Sequence, residues 1–359
     1  MWSIIASNSR IPEQTIGDLA AQIVSASAIA SKTVDILGEH GDVPLAAWSH
    51  EIVGRSERLM GSALAELPDG TYSADKFLDP YDFGSPDEGL PVTLSVAVTV
   101  EVDDVVVDFS GTTDQVARSV NAVRPFTHAY AIYALRLLLT PDIPHNEGFT
   151  RPARVVTREG SALAAARPHA CLARHVIGLH VPDLINAAFA DILPGRARAE
   201  SGSAPAWTLL LTPLDGRNRN VPRLFGIAGG TGARIDNPGQ TIMYPVNIGS
   251  ASIEMLERTL PVLFAGKSLQ PETGGAGRFR GGCGQRVELD ALGPMIYTFM
   301  AGNIRHRPRG LHGGGSAAAG FAALDGSPIP PGSGRLPAAT NLVLQTPGGG
   351  GFGRVQDGS

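Results

Sequence analysis

The sequence has 359 residues, of which 43% are hydrophobic and 18% charged, so it can bury a large core and is not a disordered tail. The net charge is −5 and no Lys/Arg-rich run occurs, which argues against nucleic acid or an anionic membrane as a partner. Two cysteines, Cys171 and Cys283, are too few for a disulfide framework, and no apolar run reaches the length of a membrane span. The N-terminus lacks the features of a secretion signal, so we expect a cytoplasmic protein.

Two long helices are predicted at the beginning of the chain. Apolar residues recur at helical spacing over 13–38 and again over about 44–67. The connection between these segments is short, which favours an antiparallel helical hairpin. The sequence therefore predicts a helical-hairpin segment over 1–68 and a second domain over 69–359.

The second domain is predicted to be rich in β-strands. After an acidic, turn-rich stretch, VTLSVAVTVEVDDVVVDFSG alternates apolar and polar residues and predicts a β-hairpin that turns near Asp103 and Asp104. Helices are predicted over 119–139 and 181–193, and a strand near Val155. Short strands between glycine-rich loops follow from about residue 205, in WTLLLT, RLFGIA, QRVELDA, PMIYTFMA and TNLVLQT. The expected fold class is α+β, with the helical hairpin leading into a β-rich, glycine-loop-rich body.

The stretch PETGGAGRFRGGCG, residues 271–284, combines the two features that bind anions, exposed backbone N–H groups and fixed cations. A Walker loop requires a lysine after the last glycine, and this stretch has none. A dinucleotide fingerprint requires G-x-G-x-x-G, whereas Gly275, Gly277 and Gly281 are spaced one residue too widely. Two interpretations stay open: a tight turn whose arginines form structural ion pairs, or a loop that presents its glycines and arginines to an anion.

Other candidate groups are less specific. Glu254 and Glu257 lie on one face if their segment is helical, and such a pair can perform acid–base work or bind arginine. The histidines of PHACLARHVIGLH, at 169, 175 and 180, do not have the spacing of zinc-binding motifs, so no metal site is predicted in this chain. A G-x-S-x-G serine elbow is missing as well.

Ten stretches occur in the order that is typical of one family. They are SRIPEQTIGDLAAQI (9–23), LPDGTY (67–72), VDFSGTTDQ (107–115), HNEGFTRPARVV (145–156), ESGS (200–203), GGTGAR (229–234), IEMLERTLP (253–261), ETGGAGRFRGGCG (272–284), LHGGG (311–315) and TPGGGGFG (346–353). Over nearly the whole chain, the sequence thereby resembles the B-type subunits of the hydantoinase/oxoprolinase family.

This resemblance implies an ATP-dependent enzyme of two unlike subunits. An A-type subunit, similar to actin-like phosphotransferases, would hold ATP, and the B-type subunit would hold the activated intermediate. Members of the family open cyclic amides such as 5-oxoproline, N-methylhydantoin and caprolactam, and relatives carboxylate acetone or acetophenone. The resemblance therefore implies a subunit of a hydrolase that acts on a lactam or hydantoin, active as part of a hetero-oligomer. The alternatives are a ketone carboxylase subunit and a truncated, non-catalytic member.

The family also binds a zinc-type metal through a segment that precedes these stretches. This chain enters the pattern within its first ten residues, so we expect the metal ligands to come from a segment absent here.

The resemblance and the chemistry of the residues together name eight candidate site residues. The expected catalytic residues are Asp108, Asn121, Glu254 and Glu257. The expected substrate- or anion-binding residues are Arg278, Arg280, Gly275 and Gly277. Each also has a structural alternative, because an Asp in a D-x-S-G turn often caps its own backbone and Glu often pairs with Arg.

Overall fold

The chain folds as a mixture of helices and open sheets, which confirms the expected α+β class. The computed structural model describes residues 1–9, 11–41, 44–79, 92–140, 142–216, 221–244 and 249–355. Its eight helices in these ranges are α1 (Trp2–Asn8), α2 (Pro12–Glu39), α3 (Leu45–Ala65), α4 (Arg124–Leu139), α5 (Glu147–Thr150), α6 (His175–Gly178), α7 (Val181–Ala188) and α8 (Ile253–Thr259). Among the described residues, no helix has both the length and the hydropathy needed to cross a bilayer.

The strands form three sheets in the described part of the chain. They are β1 (Gly70–Leu78), β2 (Val92–Glu101), β3 (Asp104–Asp108), β4 (Ala153–Val156), β5 (Trp207–Pro213), β6 (Arg223–Ile227), β7 (Val262–Gln270), β8 (Gly284–Ala291), β9 (Met295–Met300), β10 (Phe321–Leu324), β11 (Ser327–Pro328), β12 (Gly332–Leu336) and β13 (Asn341–Gln345). The first sheet has the order β1-β2-β3-β4, with a parallel β3–β4 pair. The second and third are antiparallel, in the orders β11-β10-β13-β8-β7 and β12-β9-β5-β6.

Most predicted elements are confirmed. The hairpin β2–β3 turns where Glu101 pairs with Asp104, and the predicted strands from 207 onward are present. Helix α4 begins at Arg124 rather than at 119, because Pro125 occupies its first turn, where a missing N–H costs nothing. Strands β1, β7, β10, β11 and β12 have no counterpart among the predicted elements. The polar residues of β1 predict turns, but this strand pairs with β2 along its whole length.

The two long N-terminal helices differ in their burial. Helix α3 buries Ser56, Met60, Gly61 and Leu64 against the body, whereas α2 has no buried residue. The helical hairpin stays a prediction, because residues 42 and 43 of its connection lie outside the described residues.

Two hydrophobic clusters form the core. The N-terminal cluster contains buried residues from Met60 to Phe189, and the C-terminal cluster contains buried residues from Trp207 to Leu344. The first includes the inner face of the first sheet, and the second lies between the second and third sheets. The predicted domain division at residue 68 stays a prediction about independent folding units.

Glycine-rich loops join the sheets by packing backbone against backbone. We call the loops 229–232, 274–284, 310–315 and 347–353 the glycine core. Their N–H groups are used within this core; for example, Gly282 N donates to Thr231 O and Gly349 N donates to Gly282 O, both at 2.9 Å. A Cβ at Gly281 would overlap the carbonyl group of Gly349. Only glycine permits so close an approach of two backbones.

We predict that Gly281→Ala lowers the free energy of unfolding by about 2–3 kcal/mol or more, because its Cβ overlaps backbone that cannot move aside cheaply. Gly266→Ala is the matched control, since a Cβ there meets nothing within 4 Å. Urea unfolding of both variants gives the two values. Equal midpoints would show that the glycine core tolerates side chains.

Candidate functional site

A buried ion pair joins the first sheet to the start of the glycine-rich half of the chain. Lys76 of β1 donates to Glu200 Oε2 at 2.6 Å, and both side chains are almost fully buried. The half-exposed Arg309 donates its Nε to Glu200 Oε1 at 2.7 Å and its backbone N–H to Oε2 at 2.9 Å. Burial alone raises the pKa of Glu200, but the charges of Lys76 and Arg309 outweigh it and lower the pKa. Glu200 is therefore held ionised.

Asp183 is the second buried carboxyl group of this region. It lies in the first turn of α7, and its Oδ2 accepts a hydrogen bond of 3.0 Å from the backbone N–H of Ser201. Burial raises the pKa of Asp183 to about 7, although the Lys76 charge lowers it in part. A carboxyl group that titrates near neutral pH can give and accept protons.

His180 immediately precedes α7 and is fully buried. Burial lowers the pKa of its imidazole well below the usual value, and the nearby Lys76 charge adds to this effect. Its Nδ1 has no hydrogen-bond partner among the described residues. His180 is thus held neutral beside the ion pair.

A cavity of about 330 Å³ opens on Asp183. It is rich in polar groups, contributed by Tyr130, Tyr133, Asn186, Arg196, Arg198, Ser201, Thr231 and Arg234. Asn186 fixes one side of the cavity, because its Oδ1 accepts a hydrogen bond of 3.0 Å from the backbone N–H of Arg198. We call this space the acid cavity. One carboxyl group and three arginines line this cavity, and Arg234 also pairs with Asp236 at 3.3 Å. The excess of positive charge suits a ligand that carries or develops negative charge.

A larger cleft of about 980 Å³ lies beside the acid cavity. The two spaces share Tyr130 and Leu179 in their walls. The cleft is bounded by α4 and α6 on one side and by the third sheet on the other. Burial raises the pKa of Tyr130 and lowers the pKa of His175, so both side chains are held neutral.

The predicted site residues near the first sheet have structural partners. Asp108 Oδ1 accepts a hydrogen bond from Ser110 N at 2.8 Å, which is the turn-capping contact of its structural alternative. Asn121 is fully buried, and its side chain binds the backbone of Val116 and Arg118 at 2.7–2.9 Å. Neither residue lines the acid cavity.

The predicted carboxylates of α8 also lie outside the acid cavity. Glu254 is exposed, and Glu257 Oε1 accepts a hydrogen bond from Phe264 N at 2.8 Å, which fixes the entry into β7. The structure does not bring either carboxylate to the predicted arginines.

The predicted anion-binding residues belong to the glycine core. Arg280 is exposed and lies 3.5 Å from Glu272, rather than pairing with a carboxylate of α8, and Arg278 stacks over Phe279 at 5.5 Å. Gly275 N donates to Gly349 O at 2.9 Å, and a Cβ at Gly277 would lie 2.8 Å from Phe352 N. The catalytic and anion-binding roles of all eight residues stay predictions.

Sequence reasoning missed Lys76, Asp183 and Arg309. Glu200 and Ser201 belong to the ESGS stretch, one of the ten stretches that support the family resemblance. That stretch was the sequence signal that could have pointed to this site. The sequence presents His180 only as a candidate metal ligand. In the part of the chain that the structure describes, no group of three or more His, Cys, Asp or Glu side chains could hold a metal ion.

Comparisons with known proteins place similarity over nearly the whole chain. The family model described as Hydantoinase B/oxoprolinase matches residues 1–355. The sequence is 30% identical over 327 residues to the B-type subunit of a putative D-/L-hydantoinase of Pseudomonas sp. strain NS671, covering 88% of this chain and 54% of that protein. The chain therefore spans about half the length of this relative.

Two solved structures share the fold. The ATP-dependent caprolactamase of Pseudomonas jessenii superposes with a TM-score of 0.83 at 24% identity, over 97% of this chain and 62% of that one. A nucleotide-free acetone carboxylase superposes with a TM-score of 0.76 at 16% identity, over 89% of this chain and 50% of that one.

We predict that Lys76→Met lowers the free energy of unfolding by about 3 kcal/mol, because it leaves the buried Glu200 with a single cationic partner. Arg58→Met is the control, since the Arg58–Glu51 pair is exposed and its loss should cost less than about 1 kcal/mol. Denaturant titration measures both. Similar losses in the two variants would contradict the assigned importance of the buried pair.

We predict a pH dependence that is specific to Asp183. Its folded pKa of about 7 lies above the ordinary value of 3.8, so the folded state binds more protons than the unfolded state between these values. The unfolding free energy of the native protein, relative to Asp183→Asn, should therefore fall by about 1–4 kcal/mol as pH rises from 4 to 7. His180 has the opposite slope but is present in both proteins. A constant difference over this range would contradict the assignment.

Proposed function

This chain belongs to the hydantoinase B/oxoprolinase family, and from that premise we propose that it is the B-type subunit of an ATP-dependent enzyme that hydrolyses a lactam or hydantoin ring. An A-type subunit would bind ATP and complete the enzyme. The observation that carries the proposal is the acid cavity, which combines a carboxyl group titrating near neutral pH with three arginines.

The glycine core does not suit ATP in this chain. Its loops lack a Walker lysine, and N–H groups such as those of Gly275, Gly282 and Gly349 already donate to other glycine-core carbonyl groups. ATP on a partner subunit supplies the phosphoryl group that activates the amide oxygen.

The residues of the acid cavity would then serve the ring-opening step. The ionised Asp183 accepts a proton from water as the water attacks the activated carbonyl carbon. Arg196, Arg198 and Arg234 stabilise the negative charge of the phosphoryl group on the activated oxygen. The neutral Asp183 returns the proton to the ring nitrogen as the carbon–nitrogen bond breaks, which opens the ring and leaves an acyl phosphate. A second water then attacks the acyl phosphate, and the products are the carboxylate and inorganic phosphate. The Asp183 pKa of about 7 allows both roles at neutral pH.

Carboxylation of a ketone is the alternative reaction. The shared fold with acetone carboxylase supports it, and the arginines of the acid cavity suit a carboxyphosphate as well as a phosphorylated amide. In this reaction Asp183 would take a proton from the carbon beside the carbonyl group.

Purification of the chain with an A-type partner tests the proposal directly. The complex should hydrolyse ATP faster in the presence of 5-oxoproline or a hydantoin than without it. Stimulation by acetone with bicarbonate, and by no cyclic amide, would support the carboxylase instead. A complex that no substrate stimulates, or a chain that forms no complex, would indicate a non-catalytic member.

We predict that Asp183→Asn lowers kcat of this complex by about 10²- to 10⁴-fold and removes the pH dependence near 7, because the base is lost. Asp191→Asn is the control, since Asp191 is exposed, lies just after the same helix and does not line the acid cavity. Steady-state rates from pH 5 to 9 measure both variants. An unchanged pH profile in Asp183→Asn would exclude Asp183 as the base.

The sequence-predicted residues give a further test of the same complex. If Arg280 holds an anionic intermediate, Arg280→Lys should raise KM or lower kcat, because the bidentate geometry is lost while the charge stays. If Arg280 only pairs with the exposed Glu272, the variant should keep normal rates and stability.

A further inference from the structure

The loop that follows β9 presents basic side chains to solvent. It comprises residues 304–309, with the sequence IRHRPR. Arg305, His306 and Arg307 are exposed, whereas Pro308 is buried. Two guanidinium groups and one imidazole therefore lie on the surface within three successive residues.

The backbone of this loop is fixed at its beginning by Asp79. The buried carboxyl group of Asp79, just after β1, accepts hydrogen bonds from three successive backbone N–H groups. The donors are Ile304 at 2.6 Å, Arg305 at 2.9 Å and His306 at 2.8 Å. Both oxygens of Asp79 are thereby used by the backbone, and the exposed side chains extend from a fixed turn.

The loop is also fixed at its end. Arg309 binds Glu200 through its Nε and its backbone N–H, and its Nη2 donates to Asp75 O on β1 at 2.7 Å. A loop that is ordered before binding loses little conformational entropy when a partner covers it. The loop is therefore preorganised for contact with another molecule.

An exposed aromatic side chain lies beside the loop. Phe77 on β1 is 55% exposed, and its ring centroid lies 6.3 Å from that of His306. Asp75 points to the same side of β1 and places one carboxyl group near Phe77. We call Phe77, Arg305, His306 and Arg307 the basic patch. Its combination of arginine and aromatic side chains is typical of the central contacts of protein interfaces.

The shape of the basic patch favours a macromolecule over a small anion. None of its residues lines the acid cavity or the cleft beside it. A small anion on such an open surface stays in water, where a salt bridge contributes little. A partner chain that covers the patch excludes water from the arginines and buries the ring of Phe77. The patch therefore suits a protein surface that carries acidic side chains.

The basic patch is also connected to the acid cavity. Arg309, two residues after Arg307, binds the carboxylate of Glu200. The residue after Glu200, Ser201, lines the acid cavity. A chain that binds the patch therefore lies beside the residues that position this cavity.

We propose that the basic patch is the docking site for an acidic surface of the A-type subunit. This inference rests on the proposed function and adds the place at which the two subunits meet. Docking beside the acid cavity keeps the path of the phosphorylated substrate from one subunit to the other short.

The test measures binding of the A-type subunit to the full chain by surface plasmon resonance. Arg307→Glu should lower the affinity by about 10- to 100-fold, mainly through slower association, because it places a like charge against the acidic surface. Raising NaCl from roughly 50 mM to roughly 300 mM should weaken binding of the native chain, since salt screens the attraction. The variant should lose most of this salt dependence.

Arg335→Glu is the matched control, because it changes the net charge by the same amount. Arg335 is exposed on β12 and pairs with Ile296 near the start of β9, whereas the loop of the basic patch follows the end of β9. This variant should keep the native affinity. Urea unfolding should give both variants the midpoint of the native protein, since both side chains are on the surface.

The contribution of the aromatic ring has a separate readout. Phe77→Thr should raise the dissociation rate by about 10-fold, because buried contact area is lost while threonine still suits a strand. Phe321→Thr is the control, since Phe321 is also exposed and lies on β10, outside the basic patch. It should leave the dissociation rate unchanged.

The outcomes separate this inference from the proposed function. A complex that forms equally well with native chain and with Arg307→Glu would overturn the inference. If substrates still stimulate ATP hydrolysis by that complex, the proposed function survives. A complex that depends on Arg307 but that no substrate stimulates would overturn the proposed function and keep the docking site. A chain that forms no complex overturns both.

Two further results would assign the basic patch to another occupant and so overturn the inference. One is self-association of the chain alone in analytical ultracentrifugation that Arg307→Glu abolishes, which would identify a second copy. The other is binding of ATP or inorganic phosphate to the chain alone that the same variant abolishes, which would identify a small anion.

Discussion

The carboxylate of Glu200 is the contact on which the arrangement of the site depends. It binds Lys76 of the first sheet and Arg309 beside the glycine core, two residues that are far apart in the sequence. The backbone of Glu200 continues the connection, because its N–H donates to Arg309 O and its carbonyl accepts from Gly350 N. Glu200 therefore links the two halves of the molecule. The next residue, Ser201, positions Asp183 through its backbone N–H.

The glycine core makes this contact possible. Gly202 is the third residue of the ESGS segment and packs against the carbonyl group of Gly348. A side chain at position 202 would overlap this group and displace the segment. Glu200 lies on backbone that is hydrogen-bonded on both sides, and its carboxylate has little freedom to adjust. The high conformational entropy cost of ordering so many glycines is offset by the close hydrogen bonding of their backbones. Hence the glycine-rich stretches have a structural role in positioning the acid residues, even though their composition resembles that of a phosphate loop.

The sequence predicted the fold class, the four longest helices and most strands of the described residues, because these depend on local periodicity. The sequence did not predict β1, because GTYSADKFL has polar residues at most exposed positions and forms a strand through its pairing with β2. The site was not predicted either, because it too depends on contacts between distant parts of the chain. Lys76, Asp183, Glu200 and Arg309 are distant in sequence, and only their burial together reveals their importance. A lysine in a polar stretch and an aspartate after a proline carry no local signal of burial. The family resemblance, by contrast, depends on motifs. Most of these motifs are glycine-rich, so they identified the glycine core and not the ionisable groups that it positions.

Hydrolysis and the alternative carboxylation need the same groups from this chain. Each reaction needs a base that titrates near neutral pH and cations beside the negative charge of an intermediate. The acid cavity therefore does not distinguish them. The size of the cleft beside it does not distinguish them either, because the ketone alternative includes acetophenone, whose phenyl group needs an apolar space as much as a ring substituent does. The two reactions differ in the second reactant, since only carboxylation consumes bicarbonate. The distinction therefore lies in which compounds stimulate ATP hydrolysis by the complex and not in the shape of this chain.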